Sequence, residues 1–149
     1  MIRKLGETML GAVVISLVLM PLALAKAPVG RFVLKDSDQV VHDNVTLLDW
    51  QRNPSTQTYY WQNAGLYCTG GWRLPKRGEL ETIVDARVLN PALDPIFYND
   101  STKSASSDVF WSSSVVAGSS SFAWYVSFYN GSSLSIDVSS SYRVRCVRP

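Results

Sequence analysis

The sequence predicts an α+β domain, with two helices and several short antiparallel strands, and three observations predict it. Residues 110–142 alternate apolar side chains with Ser, Tyr and Asp, the period of half-buried strands. Two central segments carry apolar residues at helical spacing. Gly70-Gly71, Pro75 and Pro91 punctuate the middle of the chain and keep each element short.

The first segment is a leader. Arg3 and Lys4 precede an apolar run, Met9 to Leu24, that closes on Ala23-Leu24-Ala25, the charged, hydrophobic and small-residue order of a secretory signal peptide. A membrane anchor is the alternative, but the run is about sixteen residues with Pro21 near its end, short of the roughly 20 that a spanning helix needs. Cleavage is expected after Ala25, with Ala27 as second choice, so the chain is expected to be exported to the periplasm, cell surface or medium, with no stable membrane span. No cysteine near the site suggests a lipid anchor.

Residues 26–149 suffice for one domain with a proper core. The chain of 149 residues has 14 Lys and Arg and 12 Asp and Glu. Setting aside Arg3, Lys4 and Glu7 leaves the domain nearly neutral, which argues against nucleic acid, because phosphate contacts need a basic stripe. Arg143, Arg145 and Arg148 crowd the C-terminus; alternation places Arg143 and Arg145 together on a solvated strand face, with an anionic-ligand patch as the competing reading.

In chain order, Arg31 to Leu34 reads as a strand, followed by the turn Lys35-Asp36-Ser37-Asp38 and further strands within Val40 to Trp50. Tyr60, Ala64, Tyr67 and Cys68 fall at helical spacing, and Gly70-Gly71 stops that helix. Trp72 to Pro75 is extended, since the residue before proline avoids the helical region. A second helix begins at Lys76, buries Leu80, Ile83 and Val84, and ends before Asn90-Pro91. Residues 91–108 read as loop with a docked Ile96-Phe97. Cys68 and Cys146, an even count in an exported chain, imply one disulfide.

The closing strands give the functional signal. Phe122, Trp124, Val126 and Phe128 form one apolar row, and Leu134, Ile136 and Val138 another. A two-residue Asn130-Gly131 turn would send one row to solvent. A three-residue loop, Tyr129-Asn130-Gly131 with Gly131 left-handed, pairs Val126 with Leu134 and Trp124 with Ile136 and lets both rows share a core. The other face then shows Tyr125, Ser127, Ser133, Ser135 and Asp137, with Tyr129 and Asn130 at the tip and Ser113, Ser114, Ser139, Ser141 and Tyr142 adjoining. These residue types suit a ligand-binding face: Tyr gives rigid amphipathic contact area, and Ser and Asn give adaptable hydrogen bonds. A plain solvated sheet face is the competing reading.

Several motifs carry a family resemblance. Asp43 to Gln51 (DNVTLLDWQ), Tyr67-Cys68, Gly71-Trp72-Arg73-Leu74-Pro75 with Glu79-Leu80, Phe110-Trp111-Ser112-Ser113-Ser114, Ala123 to Phe128 with Gly131, and Val144 to Arg148 resemble the DUF1566 family, the C-terminal domain of the Legionella collagen-like adhesin. The resemblance implies a C-type-lectin-like fold related to the formylglycine-generating-enzyme group, two helices packed on small antiparallel sheets, with Cys68 joined to Cys146. The collagen-like repeats of that adhesin are absent from this sequence. The Ser-, Tyr- and Asn-rich tract from Trp111 to Tyr142 also resembles the variable region of proteins diversified by retroelements.

Catalysis finds little support. His42 is the single histidine, no GxSxG elbow is present, and no cofactor or metal set is legible. Asp49, Glu79 and Asp85 read as strand, cap and helix residues. All five tryptophans read as core anchors, Trp111 being the candidate for sugar stacking. The expectation is an exported, non-enzymatic, adhesin-like domain whose partner is a surface glycan or protein. An enzyme on the related fold and a structural surface protein are the alternatives.

Overall fold

An antiparallel meander opens the domain: β1 (Phe32–Lys35), β2 (Val40–Asp43) and β3 (Leu48–Gln51), with the terminal β9 (Val147–Arg148) added beside β3. The computed structural model describes residues 27–149, so the export segment expected at 1–25 lies outside the described residues. The β1–β2 turn places Asp36, Ser37 and Asp38 at positive φ, a conformation that short polar residues tolerate. The next turn is held by Asp43, whose carboxylate accepts the Val45 N–H at 3.0 Å and the Thr46 hydroxyl at 2.8 Å.

Two helices and two further sheets follow. Tyr59–Tyr60 (β4) pairs with Ser141–Tyr142 (β8) and leads into α1 (Trp61–Tyr67). The buried side of α1 consists of Ala64 with half-buried Trp61 and Tyr67, whereas Tyr60, expected on it, is exposed. The second helix, α2 (Arg77–Thr82), buries Leu80, with Ile83 buried at its C-cap, but stops at Thr82, well short of Asn90. Between residues 91 and 108, where the sequence predicts loop, lie a 3-10 turn (Pro95–Phe97) and a short helix, α3 (Lys103–Ser106). A three-stranded sheet then runs β5 (Val109–Val116), β6 (Ser119–Ser127) and β7 (Ser133–Asp137), in that order.

This last sheet stands between two cores. Phe110 and Val126 enter one, with Val41, Trp50, Leu80, Phe97 and Phe128. Trp111 and Ala123 enter the other, with Ala64, Leu74, Val144 and the Cys68–Cys146 disulfide. The bridge joins the end of α1 to the residue before β9, as the sequence implied.

The β6–β7 register differs from the expected one by a single residue. Val126 pairs with Ser133, Tyr125 with Leu134 and Trp124 with Ser135. The connection is a four-residue loop, Phe128 to Gly131, closed by the Gly131 N–H on the Ser127 carbonyl at 2.7 Å and the Ser127 N–H on Ser132 at 2.8 Å. The cause is Phe128, which leaves the ladder for the first core: its N–H donates to Asp108 and its carbonyl accepts from Ala92. A one-residue slip exchanges the faces of a strand. Leu134 and Ile136 therefore lie on the side of Ala123 and Tyr125, and Ser133, Ser135 and Asp137 on the side of Trp124. Gly131 is left-handed as expected, with φ +79°.

Arg145 overturns the solvated-face reading. It is fully buried and donates to the carbonyls of Gln51 at 2.7 Å, Phe97 at 3.2 Å and Arg52, and to Ser106 Oγ at 3.2 Å. The rings of Phe97 and Phe110 lie 5.7 and 5.6 Å from its Cζ. Desolvation with no carboxylate partner pushes its pKa down to about 9.

Candidate binding face on the three-stranded sheet

The register divides the expected site residues into separate groups. Ser133, Ser135 and Asp137 share a sheet face with Trp124 and Phe122. Tyr125 lies on the opposite face, half-buried against the second core, its ring 5.3 Å from that of Tyr142, and Tyr142 in turn lies 4.9 Å from Trp111. Burial, reinforced by Tyr125, raises the pKa of the Tyr142 hydroxyl. Ser127 is half-buried on the Tyr125 side of β6.

The remaining groups lie at the margins. Tyr129 and Asn130 are exposed at the hairpin tip, where Asn130 Oδ1 accepts the Ser132 N–H. Ser139 donates both its N–H and its hydroxyl to Asp137 Oδ1, at 2.8 and 2.6 Å, and these bonds hold the Asp137 carboxyl below its ordinary pKa. Ser141 is bonded to Thr58 at 2.8 Å, and Ser113 donates twice to the Pro75 carbonyl. Ser114 Oγ accepts the Arg77 N–H at 3.0 Å.

Arg77, Phe122 and Trp124 join this surface although sequence pattern does not single them out for it. Trp124 belongs to neither core; the Arg77 guanidinium stands 4.3 Å from its ring centroid. Trp111 is fully buried, with its indole N–H donated to the Tyr59 carbonyl, so it is the core anchor expected of it and not the alternative, a stacking residue. Beside the Arg77–Trp124 stack an open cleft of about 740 Å³ is lined by Lys76, Arg77, Ser114, Val115 and Trp124. Phe122, 42% exposed, continues the aromatic surface along β6, opposite Asp137.

This edge of the cleft is rigidly built. Ser112 Oγ donates to the Trp124 carbonyl at 2.7 Å and accepts the Ser114 N–H at 3.2 Å, which fixes the β5 irregularity under the start of α2. Glu79 caps that start by accepting the Lys76 N–H and is gripped by both Arg73 nitrogens, at 2.8 and 2.7 Å. The Arg73 hydrogen bonds, against the cost of burial, hold the Glu79 carboxyl below its ordinary range. Arg77 is steadied by Glu81 at 3.3 Å. A half-exposed ring, a cation over it and hydroxyls around it form a surface that binds by stacking and hydrogen bonding.

The other chemistry-bearing residues are engaged in structure. His42 Nδ1 lies 2.7 Å from Asp49, whose carboxylate also faces Lys35 and Arg148. Among the described residues no group of three or more His, Cys, Asp or Glu is placed to hold a metal ion, and no helix is long and apolar enough to cross a membrane.

The family model described as the Lcl C-terminal domain matches residues 39–148, from the start of β2 through β9. The chain belongs to the Lcl C-terminal domain family. This family is the same as DUF1566 and takes its name from the C-terminal domain of the Legionella collagen-like protein, so the sequence resemblance is borne out. Within the Lcl C-terminal domain the match takes in both cysteines and the whole of the Arg77–Trp124 face. Membership suggests a surface, adhesin-like role. Among curated proteins no sequence matches the chain.

Proposed function

We propose that this Lcl C-terminal domain is an exported, C-type-lectin-like adhesion module that holds a surface glycan or protein on the Trp124–Phe122 end of the β5–β6–β7 sheet, without catalysing a reaction. The observation that carries the reading is Trp124, an aromatic ring outside both cores, capped by Arg77 and bordered by Ser114, Ser135 and Phe122. The lectin-like assignment rests on small antiparallel sheets, two main helices and a disulfide from the first helix to the final strand. The non-enzymatic reading draws on both cysteines being joined and the single histidine being spent on Asp49.

Ser135 and Ser139 are exposed and belong to neither core, which fits a scaffold whose displayed side chains are diversified. A reverse transcriptase and a near-identical template repeat beside the gene are the expected signs of that process. Glycan and protein arrays probed with the wild type, Trp124→Ala and Asp137→Ala test the binding reading. Binding that depends on Trp124 supports the face, and equal binding by all three places the ligand elsewhere.

A further inference from the structure

The free edge of the three-stranded sheet carries information that the binding face does not use. Among the described residues, β7 has β6 on one side and no strand on the other. The hydrogen bonds at the two ends of the β6–β7 ladder fix its phase: Ser127 N–H to Ser132 O at 2.8 Å, and Val138 N–H to Ser121 O at 3.0 Å. Bonded pairs in an antiparallel ladder recur at every second residue. The pairs Tyr125–Leu134 and Ala123–Ile136 therefore exchange bonds, and Ser133, Ser135 and Asp137 turn their N–H and C=O groups toward the open edge. Of these groups, the Asp137 carbonyl already accepts the Ser140 N–H at 2.9 Å.

An edge of this kind is normally defended by lysine, proline or a bulge. Ser133-Leu134-Ser135-Ile136-Asp137 has none of these; Leu134 is 55% exposed, and Ser133 Oγ is buried without a hydrogen-bond partner. The strand is also complementary to itself. Antiparallel pairing centred on Ser135 is the register that matches all of residues 133–137 with their copies. It sets outward-facing groups against outward-facing groups, so the Ser135 N–H meets the Ser135 carbonyl of the other copy and the Asp137 N–H meets the Ser133 carbonyl. Leu134 then faces Ile136, and Asp137, the one charge on the strand, faces Ser133 rather than another Asp137. Shifts in either direction leave part of the strand unpaired.

From this we infer that β7 is a homodimerisation edge, occupied by β7 of a second copy across a two-fold axis at Ser135. The pairing is isologous and closed, so it forms dimers and not fibres. It joins both copies' β5–β6–β7 into one continuous sheet. Side chains of directly paired residues point to the same side, so the two Trp124 faces lie on one surface. With three strand spacings between the two β6 strands, they stand about 14 Å apart. The dimer does not depend on the binding reading; the shared two-site surface, which would raise avidity for repetitive ligands, does.

Sedimentation velocity on the purified chain, across micromolar to submillimolar concentrations, tests the dimer. The wild type is expected to show a concentration-dependent monomer–dimer equilibrium. Ser135→Pro deletes a donor that β6 does not use, so it should leave folding intact while weakening the dimer by ~10-fold or more. Ser135→Ala should dimerise as the wild type does, and Ser135→Cys should yield a disulfide-linked dimer on mild oxidation. Should Ser135→Pro unfold the protein, Leu134→Lys at the same edge provides an independent disruption. A wild type that stays monomeric throughout, as it would if the edge served only an extended peptide of another protein, overturns the inference. So does a dimer that survives both Ser135→Pro and Leu134→Lys in folded protein.

Discussion

The Cζ of Arg77 stands 4.3 Å from the ring centroid of Trp124, and the backbone N–H of the same arginine is held on Ser114 Oγ. One residue thus ties the start of α2 to β5 and stacks on β6. An exposed cation–π contact contributes only about 0.5–1 kcal/mol, so the pair does little to stabilise the fold. Arg77→Ala should lower the thermal midpoint by a few degrees at most and weaken ligand binding severalfold, with Arg77→Lys retaining part of it. Calorimetry and surface-immobilised binding read the two effects separately.

Arg145 is expected to behave in the opposite way. Its guanidinium serves the carbonyls of Gln51, Arg52 and Phe97, drawn from separate parts of the chain. Arg145→Ala leaves those carbonyls without a donor and opens a cavity between Phe97 and Phe110, at a cost of about 3–5 kcal/mol. Arg145→Lys keeps the charge but cannot span all the acceptors, and should fall between. Urea unfolding of the three proteins gives the order.

Gly131 has no tolerance for a side chain. Its φ of +79° is left-handed, and a Cβ there would lie 2.7 Å from Val84 Cγ1. Gly131→Ala should destabilise by roughly 1–2 kcal/mol from the backbone alone, with the steric clash added. Combining it with Val84→Ala should recover less than the full loss, since only the clash is relieved; a double-mutant comparison of unfolding free energies checks this.

These three sites mark what the sequence does and does not reveal. The meander, both main helices, the disulfide and the glycine of the last hairpin are legible, because each is set by local pattern or by cysteine count. The faces of β5–β6–β7 are not, because Ala123 and Val126 are buried on opposite sides of the sheet. Alternation assigns faces only when one side is wet. The register failed for a related reason: Phe128 is drawn out of the ladder by Asp108 and Ala92, partners remote in sequence. Arg145 looked solvated because its acceptors lie as far away as Gln51. Trp124 reads as a core anchor like Trp111 because both occur in similar apolar and serine surroundings, yet only Trp111 enters a core.

Asp43 should govern part of the acid sensitivity. Burial alone would raise its carboxyl, but the Arg31 guanidinium, at 2.8 and 3.0 Å, with the Val45 N–H and Thr46 hydroxyl, holds it below its ordinary value of 3.8. A depressed folded-state pKa means the ionised form is favoured by folding. The stabilisation is therefore fully present above the unfolded-state value and is lost as pH falls through the folded one. Unfolding free energy should decline below about pH 4. Asp43→Asn should be less stable at neutral pH and show a shallower acid decline, measured by denaturant titration at several pH values.

The face around Trp124 is tested most directly by equilibrium binding of wild type and Trp124→Ala to an array-identified ligand, with thermal unfolding run on the same samples. Trp124→Ala should lose binding ~10-fold or more, in line with removal of a central aromatic anchor, while its unfolding midpoint stays close to wild type because the ring lies outside both cores. A folded Trp124→Ala protein that binds with wild-type affinity would contradict it.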